Sequence, residues 1–160
     1  LDQLRSPAAI GKVVPDVKGM TIEGSEFRLL DAVRGKVAVI SFSGHWCRPC
    51  VAMHPVQKEL LAKYSRDQVV IVEMNSDPKE SSEKVKQRIE ADGLKWIVVA
   101  EGSEHPISDE WKVSAWPTFV VVDAAGVVRR RVSGNLGRLL IDWVDRLVQP
   151  QSDSGSPMGK

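Results

Sequence analysis

Lys36-Val37-Ala38-Val39-Ile40-Ser41-Phe42-Ser43-Gly44-His45-Trp46-Cys47-Arg48-Pro49-Cys50 is the stretch on which the reading of this chain turns. Its first eight residues are a near-continuous apolar run, rich in β-branched side chains, with no proline or glycine. That is the pattern of a strand buried in the middle of a sheet. Gly44 ends the run, and from Arg48 to Tyr64 the period changes. Val51, Met53, Val56, Leu60, Leu61 and Tyr64 recur at three- and four-residue steps, which predicts a helix. Pro49 fits its first turn, where a missing N–H costs nothing. Pro55 falls inside it and predicts a kink. Both cysteines of the chain therefore sit where a buried strand hands over to a helix.

That position suits redox chemistry. Cys47 is expected at the helix N-terminus, beside unpaired backbone N–H groups. The positive end of a helix favours thiolate over thiol, and Arg48 adds a cation. Thiolate is the attacking species. Cys50, one turn on, is placed to attack a mixed disulfide on Cys47 and release the partner. Pro49 removes a backbone donor and stiffens the turn, which tunes the redox potential. The expectation is an exposed Cys47 and a more buried Cys50. Two other readings compete: a pair of inert core cysteines, and a soft copper or zinc site. Cys47, Cys50 and His54 have Cys-x2-Cys-x3-His spacing, with His45 close by. Pro49 and the helix direction favour disulfide chemistry over metal. His45 is a candidate to tune Cys47 electrostatically. His54 reads as an ordinary helix residue.

The remaining sequence supports one domain. A length of 160 residues fits about one domain of ordinary size. With 42% apolar and 27% charged residues, it is neither a collagen-like rod nor a coiled coil. Its 22 basic and 21 acidic residues leave no global field toward nucleic acid or an anionic membrane. Two cysteines are too few for a stapled scaffold or a four-cysteine zinc site. No run approaches the ~18 apolar residues of a membrane helix. The opening Leu1-Asp2-Gln3-Leu4-Arg5 lacks the pattern of a signal peptide.

Residues 1–148 read as the domain, with an irregular arm over about 1–15 and a hairpin from Val17 to Leu30. Residues 149–160, rich in Ser, Pro and Gly, read as a disordered tail. Further strands are expected at 68–74, 96–100, 118–123 and 127–133. Helices are expected from Asp77, a candidate cap, to Asp92, then at 105–113 and 136–148. The order implies an α/β fold, a central mixed β-sheet flanked by helices on both faces. Arg129-Arg130-Arg131 reads as a solvated edge, and the charges over 79–90 as a solvated helix face. Trp96, Trp111 and Trp143 read as core or ordinary surface residues.

Phe42 to Cys50 resembles the Phe-Trp-Ala-x-Trp-Cys-x-Pro-Cys stretch of thioredoxins. Pro55 matches that family's helix-kinking proline, and Trp116-Pro117-Thr118-Phe119 resembles its cis-proline loop. Gly11 to Asp16, Asp31 with Gly35-Lys36, and the extra strand and helix at 69–92 resemble the TlpA-like branch. The resemblance covers roughly 11–148. It implies a thioredoxin fold with an N-terminal β-hairpin extension and an inserted strand-helix. It implies a thiol-disulfide oxidoreductase with a redox-active disulfide, Cys47 attacking and Cys50 resolving, and no bound cofactor. It implies a cis bond before Pro117 and a partner-binding groove lined by Trp46, Trp116 and Pro117. The implied partners are protein thiols and disulfides, with an upstream electron donor or acceptor; the expected state is a monomer. The branch works outside the cytoplasm, often held by a membrane anchor; a cytoplasmic place stays open. Thioredoxins carry a buried acid where Ser41 stands, and many TlpA-like proteins a Glu where Met53 stands. Deprotonation of Cys50 is then left to water, His45 or a partner group. Besides the metal module, a redox-inert recognition domain of a larger protein is a third reading. A peroxidase is weaker, since Gly44 occupies the place of the Thr that chemistry usually wants.

Overall fold

A computed structural model describes residues 2–148, so the tail expected over 149–160 lies outside them. The chain begins with a short 3₁₀ turn and an arm, then a hairpin of β1 (Lys18–Met20) and β2 (Glu26–Arg28). Strand β3 (Val37–Ser43) follows, buried at all seven positions. Beside it lie β4 (Val69–Asn75) and then β5 (Ile97–Ala100), both parallel to it. On its other side lie β6 (Thr118–Val122), antiparallel, and then β7 (Val128–Ser133). The sheet order is β5-β4-β3-β6-β7, with β3 in the middle, as its unbroken apolar run requires.

Helices cover both faces. One core layer holds Ala38, Ile40 and Phe42 of β3 against Phe27, α1 (Leu29–Val33) and Trp111, which follows α5 (Pro106–Glu110). The other holds Val37 and Val39 against Leu60 of α3 (His54–Lys63), Val85 of α4 (Ser82–Ala91), and Leu140 and Val144 of α6 (Leu139–Val148). The hairpin covers the β5 edge: the Ile22 N–H donates to Val98 O at 2.9 Å. A Cβ at Gly19 would stand 2.9 Å from Val99 Cγ1, so glycine permits that approach. Covering an edge removes a template for foreign strands.

The helix expected over 48–64 is two helices, α2 (Arg48–Ala52) and α3, broken at Met53. Pro55 cannot continue α2, since its ring would meet the Val51 carbonyl four residues back; the break at Met53 puts it in the first turn of α3, where its missing N–H costs nothing. Helix α1 was not expected; the hairpin reading ran on to Leu30. Asp16 explains the turn. Its carboxylate accepts the N–H of Val17 at 2.9 Å and of Leu30 at 3.1 Å, and meets Arg28, so a distant side chain stands where a local cap is missing.

The arginine run departs from a solvated edge at its last member. Arg129 pairs with Asp123 at 2.7 Å, and Arg130 lies over the Trp143 ring, but Arg131 is buried. Its guanidinium donates to Ser6 Oγ and Ala8 O and to the Trp111 carbonyl, tying the N-terminal arm to the sheet. A register shift at Val121–Val122 breaks the alternation of β7 opposite Arg129, so Val128 and Arg131, three residues apart, both turn inward. For the layer under α3, Leu60→Ala is expected to cost about 2–5 kcal/mol, read as a lower urea midpoint at unchanged slope.

Candidate active site

The parallel pairing of β3 and β4 runs from Val37↔Val69 to Ser43↔Asn75, so both strands end at one edge of the sheet. Strand β6 starts at that edge, since Phe42 pairs with Thr118. Residues 44–47 and Pro117 are thereby brought to the same end. Cys47 is the N-cap of α2, with extended backbone, and its sulfur accepts the Cys50 N–H at 3.3 Å. Cys47 and Cys50 are joined by a disulfide, with Cα atoms 5.2 Å apart. Arg48 and Pro49 are exposed on the first turn.

Cys47 is not exposed as expected: it is 4% accessible and Cys50 1%. The cap geometry turns the Cys47 sulfur in over the helix, and Trp46, at 57%, takes the outward place. The Trp46 and Trp116 rings meet edge to face, centroids 6.1 Å apart. The His105 ring lies 5.2 Å from Trp116. These three rings line a cavity of about 320 Å³ with Ser76, Pro78 and Ser103. The Trp116–Pro117 bond is cis. Trp46 Nε1 donates to Ser76 Oγ at 3.2 Å. A Cβ at Gly44 would come within 2.3 Å of that nitrogen, so glycine there makes room for the ring.

Behind the loop runs a buried polar chain that sequence reasoning missed. Asp77 was expected to cap a helix. Instead α4 starts at Ser82 after a 3₁₀ turn, and the Asp77 carboxylate turns back to the cysteine loop. It accepts the His45 N–H at 2.9 Å, the Trp46 N–H at 3.3 Å, and faces His45 Nδ1 at 3.3 Å. Asn75 Nδ2 donates to Asp77 at 2.9 Å and to Glu73 at 2.7 Å. Trp96 Nε1 donates to the other Glu73 oxygen at 3.0 Å. The available signal was a Glu in the otherwise apolar run Val69-Val70-Ile71-Val72-Glu73-Met74.

Burial governs the protonation of this chain. It pushes the Glu73 carboxyl up, against donors that favour the ionised form. Burial also opposes the Asp77 charge, but the hydrogen bonds from His45 and Asn75 outweigh it and hold Asp77 below the usual range. His54 is pushed down to about 4 by burial first and then by His45. Its ring packs on Trp96 and His45, with centroids 5.4 and 5.6 Å away. Among the described residues, no three His, Cys, Asp or Glu side chains are grouped to hold a metal ion.

A disulfide at the N-cap of a helix, at the end of the central strand of this sheet, defines the class: a thiol-disulfide oxidoreductase of thioredoxin fold. The chain belongs to the AhpC/TSA family, whose model matches residues 10–131. It is 31% identical over 133 residues to thiol-disulfide oxidoreductase ResA of Geobacillus thermodenitrificans, covering 82% of this chain and 74% of the relative. Thioredoxin-like protein YneN of Bacillus subtilis is 28% identical over 120 residues, covering 74% of this chain and 68% of that one. In fold it is similar to a thiol:disulfide interchange protein from Bacteroides sp., with TM-score 0.73, 22% identity, and coverage of 88% and 91%.

Two outcomes follow from this geometry. Gly44→Ala is expected to displace the Trp46 ring from Ser76 and shift its fluorescence, with the fold retained. The fold accommodates a neutral His54, whereas an unfolded histidine protonates near pH ~6.5. Stability from this group is therefore complete above pH ~6.5 and lost as the pH falls toward about 4. Urea unfolding at about pH 7 and about pH 4.5 is expected to show a loss of roughly 2 kcal/mol that His54→Leu does not share.

Proposed function

We propose that Cys47 attacks partner disulfides and Cys50 resolves the mixed disulfide. Partner segments dock as an extended chain over Trp46, Trp116 and Pro117. The observation that carries this is the Cys47 sulfur at the N-cap of α2, bonded to Cys50 and adjoined by the exposed Trp46. A thiolate there accepts the Cys50 N–H, which favours the charged form. Arg48 and Pro49, in the same exposed turn, set the potential. The substrates are proteins, in keeping with thiol-disulfide oxidoreductase relatives, and a further dithiol or disulfide protein exchanges electrons with the pair. The TlpA-like features of the sequence support a place outside the cytoplasm; no helix among the described residues is long and apolar enough to cross a membrane.

Trapping tests the assignment. Cys50→Ser is expected to accumulate protein adducts that a reducing agent releases, and Cys47→Ser is not. Adducts formed equally by Cys47→Ser would reverse the roles, and adducts formed by neither would end the proposal.

A further inference from the structure

The loop that carries Cys47 holds a histidine the disulfide itself does not use. The His45 side chain is 7% exposed and its Asp77 partner 6%. Asp77 Oδ2 faces His45 Nδ1 at 3.3 Å, and the same carboxylate takes the His45 backbone N–H. Side chain and main chain of one residue are thus fixed by one group. An ionised Asp77 can only accept, so the neutral ring must place its proton on Nδ1. Nε2 is then a lone-pair acceptor, and it is buried without a hydrogen-bond partner. A buried acceptor left unmatched costs stability unless some state of the molecule uses it.

The position of the ring says which state that is. It packs against His54, with ring centroids 5.6 Å apart. His54 follows Cys50 by four residues across the α2–α3 junction, and both are buried on the inward side. His45 precedes Cys47 by two residues on the other side of the disulfide. The imidazole thus belongs to the loop that carries Cys47, is turned away from solvent, and packs on the first residue of the helix that follows Cys50. The two acids that the thioredoxin resemblance expects, at 41 and 53, are Ser41 and Met53 in this chain.

We propose that His45, oriented by Asp77, is the base that takes the proton of the Cys50 thiol when the mixed disulfide is resolved. This deepens the role proposed for Cys50 and rests on it. In the step, the Cys50 S–H proton moves to His45 Nε2. The Cys50 sulfur attacks Cys47 Sγ, the Cys47–partner S–S bond breaks, and the partner leaves as a thiolate. Two electrons pass from the dithiol to the partner disulfide. The proton on His45 then goes to the departing thiolate or to water. Asp77 is the positioning residue: it fixes the tautomer and faces the imidazolium as it forms.

The titratable groups facing His45 come from three elements. They are Asp77 from the loop after β4, Glu73 from β4 itself, and His54 from α3. Asp77 is held ionised by the hydrogen bonds it accepts from His45 and Asn75. Glu73 is pushed toward its neutral form and its oxygens are taken by Asn75 and Trp96, while His54 stays neutral until about pH 4. Lys58, Arg88 and Asp92 act on His54 from outside.

An aromatic disulfide probe, dithiobis-nitrobenzoate, separates the two steps. The reduced protein releases one coloured thiolate when Cys47 attacks and a second when Cys50 resolves. Stopped-flow absorbance across the pH range from about 5 to 9 reads both phases. His45→Gln keeps the backbone bond to Asp77. It is expected to slow the second phase at least 10-fold relative to the first near neutral pH. Its second-phase profile is expected to keep only the rise that belongs to the thiol. Asp77→Asn is expected to slow the second phase less, with a pH profile displaced from that of the wild type. If both phases in His45→Gln slow together with the wild-type profile, the residue is structural and the proposal is overturned. An unchanged second phase overturns it as well. A wild-type protein that releases no second equivalent instead removes the resolving role of Cys50, and this proposal with it.

Discussion

The register of β3 on β4 is the constraint on which the site depends. Seven pairs, all buried, bring Ser43 and Asn75 to the same level. The ladder goes one step further, since Ser76 N–H donates to Ser43 O at 3.0 Å. Asp77 then stands two residues past the end of β4, level with His45, two residues past the end of β3. A slip of one residue would turn every side chain of the strand to the other face and carry Asp77 away from the loop. The conformation of the cysteine loop is thus fixed less by its own sequence than by the strand next door. Its backbone N–H groups at 45 and 46 would otherwise lie part-buried and unpaired.

A carboxylate held there carries a cost. Taking Asp77 out of water opposes its charge, and the hydrogen bonds around it return that cost as geometry more than as stability. The return is visible on the surface. Ser76, adjacent to Asp77, receives Trp46 Nε1, so the same short segment that fixes the cysteine loop also sets the indole that lines the cavity. The site therefore has a buried, hydrogen-bonded rear and an open front. The sulfurs lie at the boundary, inside the molecule yet one residue from a largely exposed Trp46.

What was legible in the sequence follows from range. Strand β3, the two-proline helix region and the Trp116-Pro117 turn are written in contiguous residues, through apolar runs, periodicity and the fixed φ of proline. The burial of Cys47, the start of α1 and the role of Asp77 depend on groups far apart in the chain. Asp16 reaches Leu30, and Asp77 reaches His45 across 32 positions. A local reading sees Asp77-Pro78 as a helix start because an aspartate before a proline is a good cap. Nothing within ten residues says that its carboxylate points the other way. Arg131 shows the same limit: three like charges read as a solvated edge until an irregularity in the pairing with β6 turns the third one inward.

The placement of Glu73 shows how a sheet can carry a buried acid without its usual residue. Ser41 occupies the position where a thioredoxin holds its acid, and its hydroxyl is buried without a partner. In the register, Ser41 is paired with Glu73. A carboxyl is therefore present at the same level of the same sheet, one strand over. Residues nearer the start of both strands on that face, Val37, Val39, Val69 and Ile71, belong wholly to the apolar layer under α3. Polar side chains appear only in the last turn of the pleat, as Ser41, Ser43, Glu73 and Asn75. Period-two alternation in both strands makes this a single polar strip running toward the cysteine edge. Confining it to that end leaves the apolar layer intact where α3 and α6 pack. Asn75 links Glu73 to Asp77, and Asp77 in turn holds the loop that carries Cys47.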